Sequence, residues 1–170
     1  MSRSEQQRVF DDWMAIHSGI LFKVVRAFAT SHHDREDLFQ QIALQLWQSI
    51  PRYTNRVAVT TWIYRVAFYT ANGWKRKEVR RSGRTDLLGD ADAILVQPNR
   101  PADPRLDALF EQIATLNEAD RSLSLMLLDG LSYRDMSAVL GITESNVGVR
   151  ICRIKKKLIQ SLRGDLDHGV

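Results

Sequence analysis

One face of a helix predicted near the carboxyl end carries amide and guanidinium groups, which can donate hydrogen bonds to DNA. The apolar side of that helix is predicted by residues that recur at helical spacing: Val147, Ile151, Ile154 and Leu158. The opposite side is polar and cationic, with Asn146, Arg150, Arg153, Lys155, Lys156 and Lys157. Amide and guanidinium side chains pair with base edges in the major groove, and a cationic helix suits insertion there.

A turn and a shorter helix precede this one, and together they predict a helix-turn-helix over positions 131–158. Ser132 can cap the first helix, with Asp135 at the position of a capping-box acid. Gly141 can adopt the backbone conformation of a tight turn because it has no Cβ, and Thr143 can cap the second helix. The alternative is a plain hairpin of two amphipathic helices with a solvated basic face.

A second group of cations lies near the middle of the chain and comprises Lys75, Arg76, Lys77, Arg80, Arg81 and Arg84. Such a block can hold phosphates through an attraction that is independent of sequence and weakened by salt. Acidic residues gather elsewhere, near the amino end and between positions 86 and 107. This separation favours a polyanion on one side and a protein partner on another. The alternative for the basic block is a solvated helix end.

Helical periods dominate the sequence, and no segment alternates with period two for long enough to predict a strand. A first amphipathic helix is predicted over 9–28, with Trp13, Ile16 and Ile20 among its apolar residues. Asp34 is expected to open a second helix that Pro51 ends, and a third helix begins at Thr61 after a short loop. The fold class is therefore all-α.

Positions 82–102 lack amphipathic order and contain glycine, proline and several aspartates, which is typical of a linker. Asp103 and Pro104 then restart a helix as its N-cap and first residue. We expect two small helical domains: 1–81, the linker 82–102, a second domain over 103–163 and a tail over 164–170.

The composition excludes several classes of protein. The net charge is +4, and Cys152 is the single cysteine, so no intrachain disulfide can form and a reducing compartment is expected. The first residues are polar, and no apolar run approaches the roughly 20 residues of a membrane span. We expect a cytoplasmic protein without membrane insertion.

No pattern predicts catalysis, a metal site or a cofactor. The histidines lack a cysteine partner or a triad, and no glycine-rich phosphate cradle occurs. His32 and His33 are adjacent and could bind a metal, but a surface turn is the favoured interpretation. We therefore expect a protein that is not an enzyme and that carries no cofactor.

Three segments in this order resemble those of a bacterial sigma factor of the sigma-70 family, in its extracytoplasmic-function group. They are Asp34–Trp47, Thr61–Ala67 and Leu131–Leu158, and the resemblance spans nearly the whole chain. It implies a region 2-like helical bundle, a flexible linker and a region 4-like helix-turn-helix. It also implies that the protein binds core RNA polymerase and directs it to specific promoters.

The resemblance assigns polymerase binding to one face of the second helix, formed by Asp37, Gln40, Gln41 and Leu44. In the family this face contacts the coiled-coil clamp of the β′ subunit, and the β flap is a further contact. The family usually has an acid where Gln41 stands, so one charge-assisted hydrogen bond is lost here. The alternative is an ordinary solvated face.

The loop after the second helix and the following helix align with the family's reader of the minus-ten element. Capture of flipped bases needs aromatic or apolar pockets beside cations. The residues implied are Tyr53, Asn55, Arg56 and Tyr69, with Lys75, Arg76 and Arg80 holding phosphates upstream. Tyr69 stands where some relatives have a base-contacting asparagine. Trp62 and Trp74 could act as melting wedges, although their helical spacing favours the core.

The second domain is implied to read the minus-thirty-five element through the major groove. The matching positions are Ser145, Asn146, Val149, Arg150, Cys152, Arg153 and Lys155. We expect Arg153 to contact a guanine, because an arginine fork matches its two acceptors. Gly148 replaces a basic residue common in relatives, either for close backbone approach to DNA or through simple tolerance.

Two other functions fit parts of this pattern. A stand-alone helix-turn-helix repressor or activator would bind duplex DNA by itself, commonly as a dimer, yet the sequence shows no coiled-coil seam. An adaptor that binds only proteins would use its basic helices for solubility. We favour the sigma factor, expected as a monomer when free, with promoter DNA and core RNA polymerase as partners and an anti-sigma protein as a further partner when silent.

Overall fold

The computed structural model describes the backbone of residues 1–82 and 103–167, and within these residues the chain is helical and contains no strand. Contacts divide the chain into two units, Met1–Pro98 and Asn99–Val170. The all-α class is thereby confirmed. The predicted linker, apart from Ser82, lies outside the described residues.

The N-terminal unit consists of three long helices and one short 3-10 segment. Helix α1 spans Arg3–Phe28, α2 spans His32–Ser49, the 3-10 segment spans Ile50–Arg52, and α3 spans Val59–Ser82. All three helices pack against one another. Each of them begins earlier than the sequence pattern predicted. For α1 and α2 the reason is that the capping residues lie outside the apolar periods.

Two serines set the starts of the first two helices. Ser2 caps α1 in a full capping box, accepting from the backbone N–H of Glu5 while its own N–H donates to the Glu5 carboxylate. Ser31 caps α2 by accepting from the N–H of Asp34 at 3.1 Å. The expectation that Asp34 opens α2 is therefore wrong, and Asp34 lies in the first turn, where an acid is favourable.

The core of the N-terminal unit is built from aliphatic and aromatic side chains. Leu38, Ile42 and Leu46 of α2 are at most 1% exposed and face α1 and α3. Trp13 is buried as predicted, whereas Ile16 is 74% exposed and lies beside the buried stripe of α1. The unit therefore buries a narrower face of α1 than the apolar pattern indicated.

The C-terminal unit consists of four helices: α4 over Pro104–Ala114, α5 over Glu118–Leu128, α6 over Tyr133–Leu140 and α7 over Glu144–Asp167. Asp103 caps α4 and Pro104 is its first residue, as predicted. Helix α7 contacts each of the other three and continues beyond position 163.

A buried arginine joins α4 to α5. The Nη2 of Arg121 donates to the carbonyl oxygens of Ala114 and Leu116, at 2.6 and 2.8 Å. Ala114 is the last residue of α4, where the helix leaves carbonyl acceptors without intrahelical partners, and Leu116 lies two residues beyond it. Burial lowers the pKa of Arg121, an effect that the nearby Glu118 carboxylate opposes. Arg121 is thus a structural cation of the core, although its charge alone would place it on the surface.

Within the described parts of both units, no helix has the length and hydropathy needed to cross a membrane. The same residues contain no cluster of three or more histidine, cysteine or acidic side chains that could hold a metal. His32 and His33 lie in the first turn of α2, 3.6 Å from Glu36 and 3.5 Å from Asp37, respectively. The expected surface turn at this pair is therefore a helix start.

Candidate nucleic-acid interface

The turn between α6 and α7 has the local structure that the sequence predicted. The Ser132 side chain caps α6 by accepting from the N–H of Asp135 at 3.1 Å. Gly141 ends α6 with φ of 68°, in the left-handed region that a residue with a Cβ rarely adopts. Thr143 then accepts from the N–H of Asn146 at 3.2 Å at the start of α7. The two helices therefore form a capped helix-turn-helix.

Helix α7 separates a buried stripe from an exposed polar face. Val147, Ile151 and Ile154 are at most 2% exposed and pack against the rest of the unit. The exposed residues of the predicted contact set are Ser145, Asn146, Val149, Cys152, Arg153 and Lys155. The structure therefore brings six of the seven predicted residues to the surface along one helix.

Arg150, the seventh, is only partly exposed and is already engaged. Its Nη1 lies 2.9 Å from the Oδ1 of Asp120 on α5, and its Nε donates to the Oδ1 of Asn146 at 3.2 Å. The side chains of Arg150 and Asp120 are 35% and 23% exposed. Arg150 is therefore not a free cation, and its contact with DNA stays a prediction. The signal was missed because Asp120 lies 30 residues away in the sequence.

Gly148 is partly exposed and lies beside the side chain of Tyr133. A Cβ built at this position would lie 3.5 Å from Cε2 of Tyr133, which is ordinary van der Waals contact. The glycine thus sits over the Tyr133 ring of α6, and space for a methyl group exists there.

In the N-terminal unit, a cleft of about 370 Å³ opens between α2 and α3. Its walls include Arg52, Trp62, Arg65 and Tyr69. Tyr69 is 78% exposed, while Trp62 is half-buried and donates through its indole Nε1 to the Ser49 hydroxyl at 3.0 Å. Aromatic rings beside guanidinium groups form a surface on which a nucleobase can stack. The sequence pattern predicted Tyr69 as a contact but neither arginine, because the placement of Arg52 and Arg65 beside the ring depends on how α2 and α3 pack.

The candidate residues in and beside the loop before α3 differ in their exposure to solvent. Asn55 and Arg56 are exposed, and Asn55 has a φ of 56°, a conformation that asparagine tolerates better than most residues. Tyr53 is half-buried, with ring centroids 5.1 Å from Trp13 and 5.6 Å from Trp62, and its hydroxyl donates to the Val57 carbonyl. The structure therefore gives Tyr53 a packing role that its sequence context did not indicate.

The basic block lies along the end of α3, except for Arg84, which is outside the described residues. Arg76 and Lys77 are exposed, Lys75 is half-buried, and Trp74 is also half-buried rather than fully in the core. For Arg80, the structure describes only the helical backbone. The expected phosphate contact of its side chain lies outside the described residues.

The outer face of α2 is separate from its core face. Gln40, Gln41 and Leu44 are exposed, with Leu44 at 53%, and Asp37 is partly exposed. These residues point away from the buried side of α2 described above. They form a continuous polar surface with one exposed leucine.

Models of two regions of one protein family match the chain in order. The first, Sigma-70 region 2, matches residues 14–81, and the second, Sigma-70 region 4, matches residues 106–158. The chain belongs to the sigma-70 family. The two matches cover most of the residues of both helical units.

Relatives within this family include the ECF RNA polymerase sigma-E factors of two bacteria. The chain is 26% identical over 140 residues to that of Haemophilus influenzae, covering 75% of this chain and 74% of the relative. It is 25% identical over 137 residues to that of Escherichia coli K12, covering 74% and 72%. This sigma factor belongs to the extracytoplasmic-function group; it binds core RNA polymerase and directs promoter-specific transcription initiation.

Two solved structures share its fold. CnrH, solved in complex with the cytosolic domain of CnrY, aligns with a TM-score of 0.68 at 22% identity, covering 94% of this chain and 90% of CnrH. RpoE of Bartonella quintana, solved with the anti-sigma factor NepR, aligns with a TM-score of 0.73 at 17% identity, covering 92% and 98%.

Proposed function

We propose that the two units of this sigma factor divide promoter recognition between them. Residues 1–81 bind core polymerase and read and melt the minus-ten element, while residues 103–163 read the minus-thirty-five element. The proposal rests mainly on helix α7. One side of this helix is buried in the unit, and the other side exposes a row of side chains that can contact bases, within a capped helix-turn-helix.

In the C-terminal unit, the proposed base and phosphate contacts are Ser145, Asn146, Val149, Cys152, Arg153 and Lys155. All of them are exposed. Arg153 is proposed to contact a guanine, since its planar fork matches the guanine O6 and N7 acceptors. Arg150 acts through its neighbours, because Asp120 and Asn146 already hold it.

In the N-terminal unit, the cleft between α2 and α3 is proposed to receive a base of the melted strand. Tyr69 provides an exposed ring, and Arg52 and Arg65 lie beside it. Asn55 and Arg56 are exposed in the adjoining loop, where they can reach the same strand. Tyr53 supports the loop through its packing against Trp13 and Trp62.

Phosphate binding upstream is proposed for the cations at the end of α3, namely Lys75, Arg76 and Arg80. Arg76 is exposed, which suits a phosphate contact. Such contacts add affinity without sequence preference, so replacing Arg76 by alanine should weaken promoter binding uniformly and lower its salt dependence by about one counterion.

The outer face of α2 is proposed to bind the β′ clamp of core polymerase through Asp37, Gln40, Gln41 and Leu44, and the β flap is a proposed contact of the C-terminal unit. Leu44 is exposed and can be buried at an interface, while the side-chain amides of Gln40 and Gln41 can form hydrogen bonds around it. The separation of this face from the core supports the assignment, because binding there need not disturb folding.

Two further proposals concern the cell. The protein is proposed to lie in the cytoplasm, where polymerase and promoter DNA are found, and to be a monomer when it is not bound to a partner. Silencing by an anti-sigma protein is also proposed, since a structurally similar sigma factor, RpoE of Bartonella quintana, was solved with the anti-sigma factor NepR.

In vitro transcription with purified core polymerase tests the division of labour. We expect the full chain to direct initiation at specific promoters while binding duplex DNA weakly by itself. Tight, sequence-specific binding without polymerase would instead favour the repressor or activator.

A variant pair tests the C-terminal reader. Arg153→Ala should lose about 1–3 kcal/mol of discrimination at one base pair of the minus-thirty-five element. Arg105→Ala removes an exposed arginine from α4 of the same unit and serves as the charge-matched control. Equal loss in both variants would contradict the assignment of Arg153.

A second pair tests the cleft. Tyr69→Ala should weaken promoter opening, measured by permanganate reactivity of unpaired thymines, because base stacking on a ring contributes about 1–3 kcal/mol. Ile16→Ala is the control, since Ile16 is similarly exposed at 74% but lies on α1, outside the cleft. Normal opening by the Tyr69 variant would exclude the ring from base capture.

A further inference from the structure

A chain of polar contacts links the start of α5 to the exposed face of α7. Asn117 donates through Nδ2 to Asp120 Oδ2 at 2.7 Å, and Asp120 Oδ1 accepts from Arg150 Nη1 at 2.9 Å. Arg150 Nε then donates to Asn146 Oδ1 at 3.2 Å. The contacts run from one helix cap, through an ion pair, to a side chain that stands at the base-reading end of α7.

This chain fixes the orientation of the Asn146 amide. Every hydrogen-bonding nitrogen of an arginine is a donor, so the atom of Asn146 that meets Arg150 Nε must be the carbonyl oxygen. The amide NH₂ is then the donor left for a ligand, while Oδ1 keeps one of its two lone pairs, and Asn146 is exposed. A freely rotating asparagine would instead offer either its donor or its acceptor.

The guanidinium charge also sets what can approach the amide oxygen. Asparagine recognises adenine through two bonds, in which Nδ2 donates to N7 and Oδ1 accepts from the base amino group. Here Arg150 occupies one side of Oδ1, and its positive charge disfavours the partly positive amino group of adenine. Guanine offers only acceptors, N7 and O6, at the same edge of the major groove.

We propose that Asn146 selects guanine over adenine at one base pair of the minus-thirty-five element, and that Asp120 and Arg150 are positioning residues for this choice. The inference rests on the proposed function of α7 as the reader of that element. Asp120 acts by holding Arg150, since an arginine without its carboxylate partner is free to leave Asn146 and to turn toward a phosphate.

The experiment uses the full chain with core polymerase on promoters that carry a randomised minus-thirty-five element, with transcripts counted by sequencing. For the native protein we expect guanine to exceed adenine about tenfold at one position, and Asn146→Ala to abolish the preference there alone. Asp120→Ala should lower the guanine-to-adenine ratio about tenfold at that same position, because the freed amide can then make both adenine bonds.

Two variants separate positioning from folding and from net charge. Asp120→Glu keeps the carboxylate and should retain the guanine preference, while Asp120→Asn keeps the shape but not the charge and should lower it. Glu111→Ala removes an exposed acid of α4 from the same unit and should leave every base preference unchanged. Circular dichroism of each variant verifies its fold.

Several results would overturn the inference while leaving the proposed function intact. One is a native preference for adenine at the Asn146 position. Another is a uniform gain or loss across all promoters in Asp120→Ala with no change in the guanine-to-adenine ratio, which would mark Arg150 as a phosphate contact only. An unchanged guanine-to-adenine ratio in both Asp120→Ala and Asp120→Asn would also overturn the inference. A native holoenzyme without any promoter preference would overturn the proposed function and this inference together.

Discussion

The outer faces of α2 and α7 present their candidate contact residues in different ways. On α2, the exposed face with Gln40, Gln41 and Leu44 lies opposite a core face that is at most 1% exposed. On α7, the exposed face is tied to a neighbouring helix through Arg150 and Asp120. Substitutions on the α2 face should therefore change binding alone, whereas substitution of Arg150 on α7 should affect both recognition and packing.

The largest expected effect tests the separation on α2. Leu38→Ala should lower the free energy of unfolding of the N-terminal unit by about 2–5 kcal/mol, because Leu38 is fully buried and leaves a cavity. All four tryptophans (Trp13, Trp47, Trp62 and Trp74) lie in this unit, so their fluorescence reports its unfolding in urea.

Leu44→Ala is the matched control for Leu38→Ala, being a leucine on the opposite face of the same helix. Its effect on stability should stay within about 0.5 kcal/mol, as is usual for surface substitutions, while its affinity for core polymerase falls. A loss of stability comparable to that of Leu38→Ala would show that the two faces of α2 are not separate.

The next effect tests a single side chain on the outer face of α2. Gln41→Glu should raise affinity for core polymerase about fivefold, because a charge-assisted hydrogen bond is roughly twice as strong as a neutral one. The gain should fade with added salt, as measured by fluorescence anisotropy of labelled protein. Gln7→Glu, an exposed glutamine of α1, provides a control for the added charge; equal gains in both would exclude a specific contact at Gln41.

In the C-terminal unit, Gly148→Ala tests how tightly α7 is packed. The added methyl group meets Tyr133 at 3.5 Å, and alanine favours a helix interior over glycine by about 0.5–1 kcal/mol. We expect greater protection of α7 amides in hydrogen exchange, with transcription unchanged. A loss of transcription with the fold retained would mean that DNA approaches the backbone closely at this position.

The smallest effect concerns pH. Desolvation lowers the pKa of His17, which lies half-buried on α1, so the folded state favours its neutral form. Its contribution to stability is therefore present above pH 6.5 and is lost as the pH falls through the lowered value. Urea unfolding at pH 7.5 and 5.5 should show a slight loss on acidification, which His17→Gln reduces. An identical loss in that variant would assign the effect to other groups.

Local signals in the sequence were enough to predict much of the fold. The cap at Ser132, the turn at Gly141 and the start of α4 at Asp103 each depend on residues within four positions of one another, and the structure confirms them. Ser2 and Ser31 were missed as caps because the apolar period, which locates a helix, begins several residues after its true start.

The candidate sites were less accessible to sequence reasoning, because their geometry depends on packing between helices. The ion pair of Arg150 joins α7 to α5, and the sequence alone could not distinguish an engaged arginine from a free one. Tyr53 was expected to contact DNA, and the sequence did not indicate that its ring packs against Trp13 and Trp62. The roles of these residues toward DNA and polymerase remain predictions.

The position of the single thiol has a practical consequence. Cys152 is exposed on the outer face of α7, and the chain has no other cysteine. A maleimide dye therefore attaches at one defined point of the unmodified protein, one residue before the arginine proposed to meet guanine. Its rate of alkylation, followed with and without promoter and polymerase, would serve as a built-in reporter of when α7 becomes covered.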